Sequence, residues 1–190
     1  MPTATTVTAV RSRSRHRVWT YADYCRIPED RQRHEIIDGR HYVTPAPSVG
    51  HQEASAGLTI AIGNRVRAQG LGRVLAAPLD VHLGRGTVVQ PDLVVVMRSN
   101  LAVIGDKKIT GAPDLVVEIL SPSTSRRDRR LKKARYQRAG VREFWIVDTK
   151  KKMVKQFVLR DGRYGRAVVC KDRVRLHIVR GVSIDLAKVW

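Results

Sequence analysis

Cysteine is scarce in this chain: Cys25 and Cys170 are its only two, far apart, with no CxxC and no metal-ligand spacing. That excludes a cysteine zinc site and a disulfide framework, and makes a reduced cytoplasm the natural compartment. Long hydrophobic runs are missing as well. The longest, LVVVM at 93–97, is far too short to cross a bilayer, and the N-terminus has no apolar signal-peptide core. A soluble cytoplasmic protein with no membrane partner is the expectation. Acidic residues are few: 17 Asp and Glu stand against 36 Lys and Arg, a formal charge of +19. So basic a chain favours a polyanionic partner, although a merely well-solvated basic surface has the same composition.

What is present suits one globular domain. A chain of 190 residues with 43% hydrophobic content can bury a real core but cannot be split into two large domains. Residues 1–17 turn from Thr- and Ala-rich to basic without any periodicity, which predicts a disordered basic arm ahead of a domain over 18–190.

Within the domain, Thr20 is placed to cap a short helix that Pro28 ends. HEIIDGRHYV then sets Asp38-Gly39 between two apolar-bearing segments, the signal of a two-residue hairpin, with Glu35 on its first strand. After a Pro-rich turn, Ser48 can cap a helix in which Ala54, Leu58, Ala61, Ile62 and Val66 recur at helical spacing, with Gly70 as its stop. His51 lies in the first turn of that helix, where a polar surface or capping role is the simplest. Short β-rich pieces follow from Gly72, and the run at 93–97 is apolar on both faces, as for an interior strand with helices on each side. Pro91 marks its start and Asp92 stands where it enters the core. A helix over 126–139 with Gly140 as its stop, further strands, and a closing helical turn in IDLAKVW complete the order. The sum is an α/β (α+β) layered domain around a mixed sheet, with no internal repeat.

The stretch APDLVVEILSPSTSRRDRRLKKARY, at 112–136, organises the rest. It reads as a buried strand, a turn and a basic helix. Glu118 is the one carboxylate in the strand, and a buried carboxylate without a partner is costly, so it asks for a cation or a metal. Strand alternation puts Val116, Glu118 and Leu120 on one face, where Glu118 can meet Asp92 and Glu35 from neighbouring β elements. Two or three converging carboxylates suffice for Mg²⁺, which usually keeps several waters. Lys132 on the following helix can orient an attacking water or stabilise charge on a phosphate. Taken singly, Asp92 and Asp114 also fit as ordinary turn residues after proline, and Glu118 as the partner of a structural arginine.

The segments HEIIDG, PAPSVGHQ, APLDVHL, VVQPDLVVV, GAPDLVVEILSPST, RDRRLKKARYQRAGVREFWIVD and IDLAKVW, in this order, resemble the Uma-two family of bacterial restriction-endonuclease-like proteins within the PD-(D/E)XK nuclease superfamily. The resemblance implies a restriction-endonuclease-like core: a central mixed sheet flanked by helices, with additional antiparallel strands. It puts the superfamily's acids on Asp92 and Glu118 and the family's hairpin glutamate on Glu35, and implies Mg²⁺ (or Mn²⁺) held by these three. The superfamily lysine normally stands two residues after the second acid, but Leu120 occupies that position. Lys132 is the matching position on the following helix, with Lys133 beside it. His51 and Gln90 fall on family-like positions and are candidates for support of the metal ligands. Arg126, Arg127, Arg129, Arg130 and Lys133 are candidates to hold the DNA backbone, and superfamily analogy implies a possible homodimer. Two functions stay open at this point: a Mg²⁺-dependent DNA endonuclease, and a weak or inactive nucleic-acid-binding or assembly module that keeps the fold.

Overall fold

The computed structural model describes residues 17–30, 32–121 and 128–190, with the backbone alone for Asp128 and Arg129. The expected arm over 1–17 therefore lies outside the described residues except for Arg17, which pairs with Asp23. No described helix is long and apolar enough to cross a membrane.

Helix α1 (Tyr21–Tyr24) starts in a reciprocal cap, in which Thr20 accepts from the Asp23 amide while Asp23 accepts from the Thr20 amide. Strands β1 (Arg33–Ile37) and β2 (Arg40–Thr44) form the hairpin, turned by Asp38 and Gly39 at φ of 55° and 70°. Helix α2 (Val49–Val66) begins at Ser48, whose hydroxyl accepts from the His51 amide. Then come β3 (Gly72–Ala76), β4 (Val81–His82), β5 (Val88–Val89), β6 (Leu93–Met97), β7 (Ile109–Thr110) and β8 (Leu115–Ile119). A π-helical turn over Asp128–Lys132 runs into α3 (Lys133–Ala139), which Gly140 ends in the left-handed region at φ 89°. After it lie β9 (Glu143–Asp148), β10 (Met153–Arg160), β11 (Arg163–Tyr164), β12 (Val168–Cys170), β13 (Arg173–Arg175) and β14 (Ser183–Asp185). The helix start expected near 126, and its cap candidates Ser123, Thr124 and Ser125, lie outside the described residues.

The larger sheet runs β11-β10-β9-β8-β6-β3, with β12 also on β10, and is parallel only between β8 and β9. A smaller sheet runs β2-β1-β5-β4-β7. The expected fold class, a mixed sheet with helices and added antiparallel strands, is what the chain adopts.

One expectation is corrected. Among the described residues, a helix lies squarely over only one face of the interior strand β6. On that face Leu93 and Val95 join Leu115 and Val117 under Leu58 and Ile62 of α2. On the other, Val94, Val96 and Val116 pack against Ile37, Val81, Val89 and Ile109 of the smaller sheet, with Tyr136 of α3 at the side. The reason is apolar supply: α3 buries a single residue, Tyr136, too little to cover a sheet. Short valine- and isoleucine-bearing strands do the covering instead. The C-terminal turn over Leu186–Lys188 closes against α2, where only a glycine fits. A Cβ on Gly57 would fall 2.9 Å from the Val189 backbone. Leu186 and Trp190 pack into this side of the core, as the closing segment predicts.

Candidate active site

Each acidic side chain reaches the site because of the backbone it stands on. In β1 the two-residue period puts Arg33, Glu35 and Ile37 on one face, and Ile37 anchors that face in the core. In β8 the same period sends Glu118 to the side of Val116 and Leu120, between the two sheets. Asp92 immediately precedes β6, and its Oδ2 accepts the Ile119 amide of β8 at 2.7 Å, which ties the acid to the far end of the next strand. Glu35, Asp92 and Glu118 are 0%, 2% and 2% exposed.

Such deep burial of three carboxylates requires cations, and the chain supplies them. Lys132, itself 2% exposed, sits where the π-helical turn joins α3. Its Nζ lies 2.9 Å from both oxygens of Glu118 and 2.8 Å from Glu35 Oε1, so one ammonium serves two acids. One turn on, the Tyr136 hydroxyl donates to Glu118 Oε1. The Gln90 amide donates to Glu35 Oε1 at 2.9 Å. Asp92 Oδ1 accepts from Arg33 at 2.7 Å and lies 3.1 Å from His51 Nε2.

Burial alone would raise the Asp92 carboxyl, but the hydrogen bond to His51, the Arg33 charge and the Ile119 amide outweigh it and hold its pKa down to about 2. A carboxyl depressed on folding contributes its stability in full above the unfolded value of about 3.9 and loses it as pH falls toward the folded value. On the order of 2 kcal/mol is therefore expected to vanish between about pH 4 and pH 2. Urea denaturation of the metal-free protein should show this acid limb, and Asp92→Asn should lack it. Identical acid limbs in the two proteins would contradict the depression.

Around these groups the fold leaves two connected spaces. An enclosed cavity of about 20 Å³ is bordered by Glu35, Asp92, Glu118, His51, Lys132 and Ser121, room for one water-sized particle. An open cleft of about 280 Å³ adjoins it, lined by Gln32, Gln52, Ser55 and the prolines Pro45, Pro47 and Pro78. Arg33, His51 and Asp92 line both.

Oxygen donors of this kind suit a hard divalent cation. As they stand, however, no three His, Cys, Asp or Glu side chains among the described residues converge as a ready metal cage. The acids are engaged by the protein's own cations, Lys132 on the glutamates and Arg33 on Asp92. Among the described side chains, three carboxylates stand against two permanent cations, Lys132 and Arg33, and oxygen-rich negative charge of this kind favours a divalent ion.

Of the residues expected from sequence, Glu35, Asp92, Glu118, Lys132 and His51 all border the enclosed cavity. His51 is not a surface polar residue: it is buried, 6% exposed, against Asp92. Gln90 meets the site through its backbone amide, while its side chain donates to Tyr24 and to Asp80. Lys133 lies on the far side from Lys132's acids, its ammonium 4.1 Å from the Phe157 ring centroid. Arg130 is exposed. Arg126, Arg127 and the Arg129 side chain lie outside the described residues.

Sequence reading missed Arg33 and Tyr136. Arg33 stands two residues from Glu35 on the same strand face, and Tyr136 four residues from Lys132 on one helix face. Both spacings were available as signals.

Comparison with known proteins bears on this arrangement. The profile of the Uma2 family, described as "Putative restriction endonuclease", matches residues 21–187. The crystal structure of "a putative nuclease belonging to DUF820 from Anabaena variabilis ATCC 29413" aligns over 90% of this chain and 96% of its own. The identity is 22% and the TM-score 0.74, a likeness of fold. The type IIG restriction endonuclease BpuSI aligns over 63% of this chain and 13% of its own at 17% identity, with a TM-score of 0.38, too low to establish a shared fold. No protein of curated function matches.

Proposed function

The chain belongs to the Uma2 family of restriction-endonuclease-type proteins, and on that premise we propose that it is a metal-dependent DNA endonuclease. The observation that carries the reading is the buried trio Glu35, Asp92 and Glu118 around a cavity the size of one water, with Lys132 among them. Asp92 and Glu118, assisted by Glu35, are the residues that would hold Mg²⁺ or Mn²⁺. When bound, such an ion polarises a phosphodiester and lowers the pKa of water at the site.

The protein's own groups do the rest. Lys132, already within hydrogen-bond distance of both glutamates, orients the attacking water and stabilises charge developing on the phosphate. Tyr136 fixes the Glu118 carboxylate through its hydroxyl, and the Gln90 amide fixes Glu35. His51 holds Asp92 from the first turn of α2. Arg126, Arg127, Arg129, Arg130 and Lys133 are proposed to hold the phosphate backbone, a sequence-independent contact.

Incubation of supercoiled plasmid with the protein tests the reading. Nicked or linear DNA is expected with Mg²⁺ or Mn²⁺ and none in chelator. Tight DNA binding without cleavage in any divalent metal would leave a binding module that keeps the nuclease fold.

A further inference from the structure

Asp92 is heavily engaged. Its Oδ2 accepts the Ile119 amide at 2.7 Å, and its Oδ1 faces both Arg33 at 2.7 Å and His51 at 3.1 Å. A cation that takes Asp92 through Oδ1 competes with the two groups already on that oxygen. The Ile119 amide is fixed in a strand. His51 is short, 6% exposed, and set in the capped first turn of α2. Arg33 differs on every count. It stands at the first position of β1, has the longest side chain of the three, and that side chain is 22% exposed. It is the donor able to leave.

It also has somewhere to go. Among the described Lys and Arg side chains around the cluster, Arg33 alone lines both the enclosed cavity and the open cleft. A guanidinium carries five N–H donors, and one of them is engaged by Asp92. The described walls of the cleft carry neutral polar groups, Gln32, Thr44, Gln52 and Ser55, and Asp92 is the only carboxylate among them. Once a cation neutralises Asp92, Arg33 is the dominant charge among the described residues facing that space. A planar fork of donors beside a neutral polar cleft matches the oxygens of a phosphate group, which arginine binds in bidentate fashion.

We propose that Arg33 is an exchangeable counter-cation: without a metal it closes the site by pairing with Asp92, and when a cation takes Asp92 it turns into the cleft and holds the substrate phosphate. This rests on the endonuclease reading and assigns a substrate-positioning group that the sequence did not reveal. Its consequence is a pair of effects of opposite sign. Removing the guanidinium should strengthen metal binding, because a competitor for Asp92 is gone. The same change should weaken cleavage, because the phosphate has lost its fork.

Mn²⁺ affinity of the DNA-free protein, read by electron paramagnetic resonance, and cleavage at saturating Mn²⁺ test both halves. Arg33→Met is expected to bind Mn²⁺ roughly 10- to 100-fold more tightly, the weight of one charge-assisted hydrogen bond, while kcat/KM for DNA falls by a similar factor. Arg33→Lys should recover part of the cleavage, since it restores the charge without the fork. If Arg33→Met does not fold, Arg33→Gln is expected to show a smaller gain in Mn²⁺ affinity and a similar loss of cleavage, because it removes the charge but keeps a neutral donor for Asp92. Unchanged or weaker Mn²⁺ binding in whichever of these variants is folded overturns the exchange. A wild-type protein that binds no Mn²⁺ overturns instead the metal-dependent reading on which it rests, so the two failures are distinguishable.

Discussion

Lys132→Met is expected to destabilise the protein by about 3–5 kcal/mol, the cost of removing a buried cation shared by two buried carboxylates. The ammonium lies within 2.9 Å of Glu118 and 2.8 Å of Glu35, and all three side chains are 2% exposed or less. Methionine keeps the length and apolar character of the stem, so the loss isolates the charge rather than the packing. A second substitution discriminates further. In Glu118→Gln/Lys132→Met one of the two carboxylates that share Lys132 is already neutral, so the double variant should lose less than the sum of the singles, with a coupling of about 0.5–3 kcal/mol. Urea denaturation midpoints at neutral pH provide the readout. A loss below about 1 kcal/mol in Lys132→Met, typical of a surface pair, would contradict the shared ion pair at the centre of the site.

Glu118→Gln carries the largest expected effect on activity. The substitution preserves size and leaves Lys132 paired with Glu35, so the fold should survive with a modest change in melting temperature. What it removes is a carboxylate, proposed above as a metal ligand, that borders the same cavity as Asp92. Metal-dependent nicking should fall by about 10²- to 10³-fold or more, the range for deleting one preorganised electrostatic partner. DNA binding in chelator should be retained, since phosphate contact depends on basic side chains and not on this acid. Plasmid cleavage and filter binding, run on the same preparations, separate the two effects. Undiminished nicking by Glu118→Gln would remove Glu118 from the machinery.

How far the sequence reveals this site depends on the backbone beneath each residue. Glu35 and Glu118 were legible because a strand alternates strictly, and a lone acid in an apolar run must find a partner. Asp92 was legible from its place between Pro91 and a run of apolar residues. Lys132 was read as the cation on the basic helix after Glu118, and the family resemblance matched the same position. A helical lysine reaches a strand carboxylate only across tertiary space, and the π-helical turn at its position shifts the helix faces in a way no periodicity shows. The surface role read for His51 from its position in α2 was mistaken, because only apolar positions were counted along that helix; the resemblance had made it a candidate for support of the ligands. It stands three residues before Ala54 and seven before Leu58, the spacing of the buried face, and the fold buries it there.

The smaller sheet was the least legible part. Its strands β4, β5 and β7 are two residues long, and β1 meets β5 through a single register pair, Ile36 with Val88. Pairings so short and so distant in sequence leave no periodic trace. Yet that sheet covers one face of β6 and brings the Glu35 hairpin over Glu118, so the acids converge through the element hardest to foresee.

The most direct test is a crystal of the wild-type protein soaked in Mn²⁺, with the ion located by its anomalous signal. The predicted result is one peak in the small cavity, within ligand distance of Asp92 and Glu118, with Glu35 beside it. A well-diffracting soaked crystal with no peak there, or with Mn²⁺ bound only elsewhere, would contradict the proposal that these carboxylates form a metal-dependent nuclease centre.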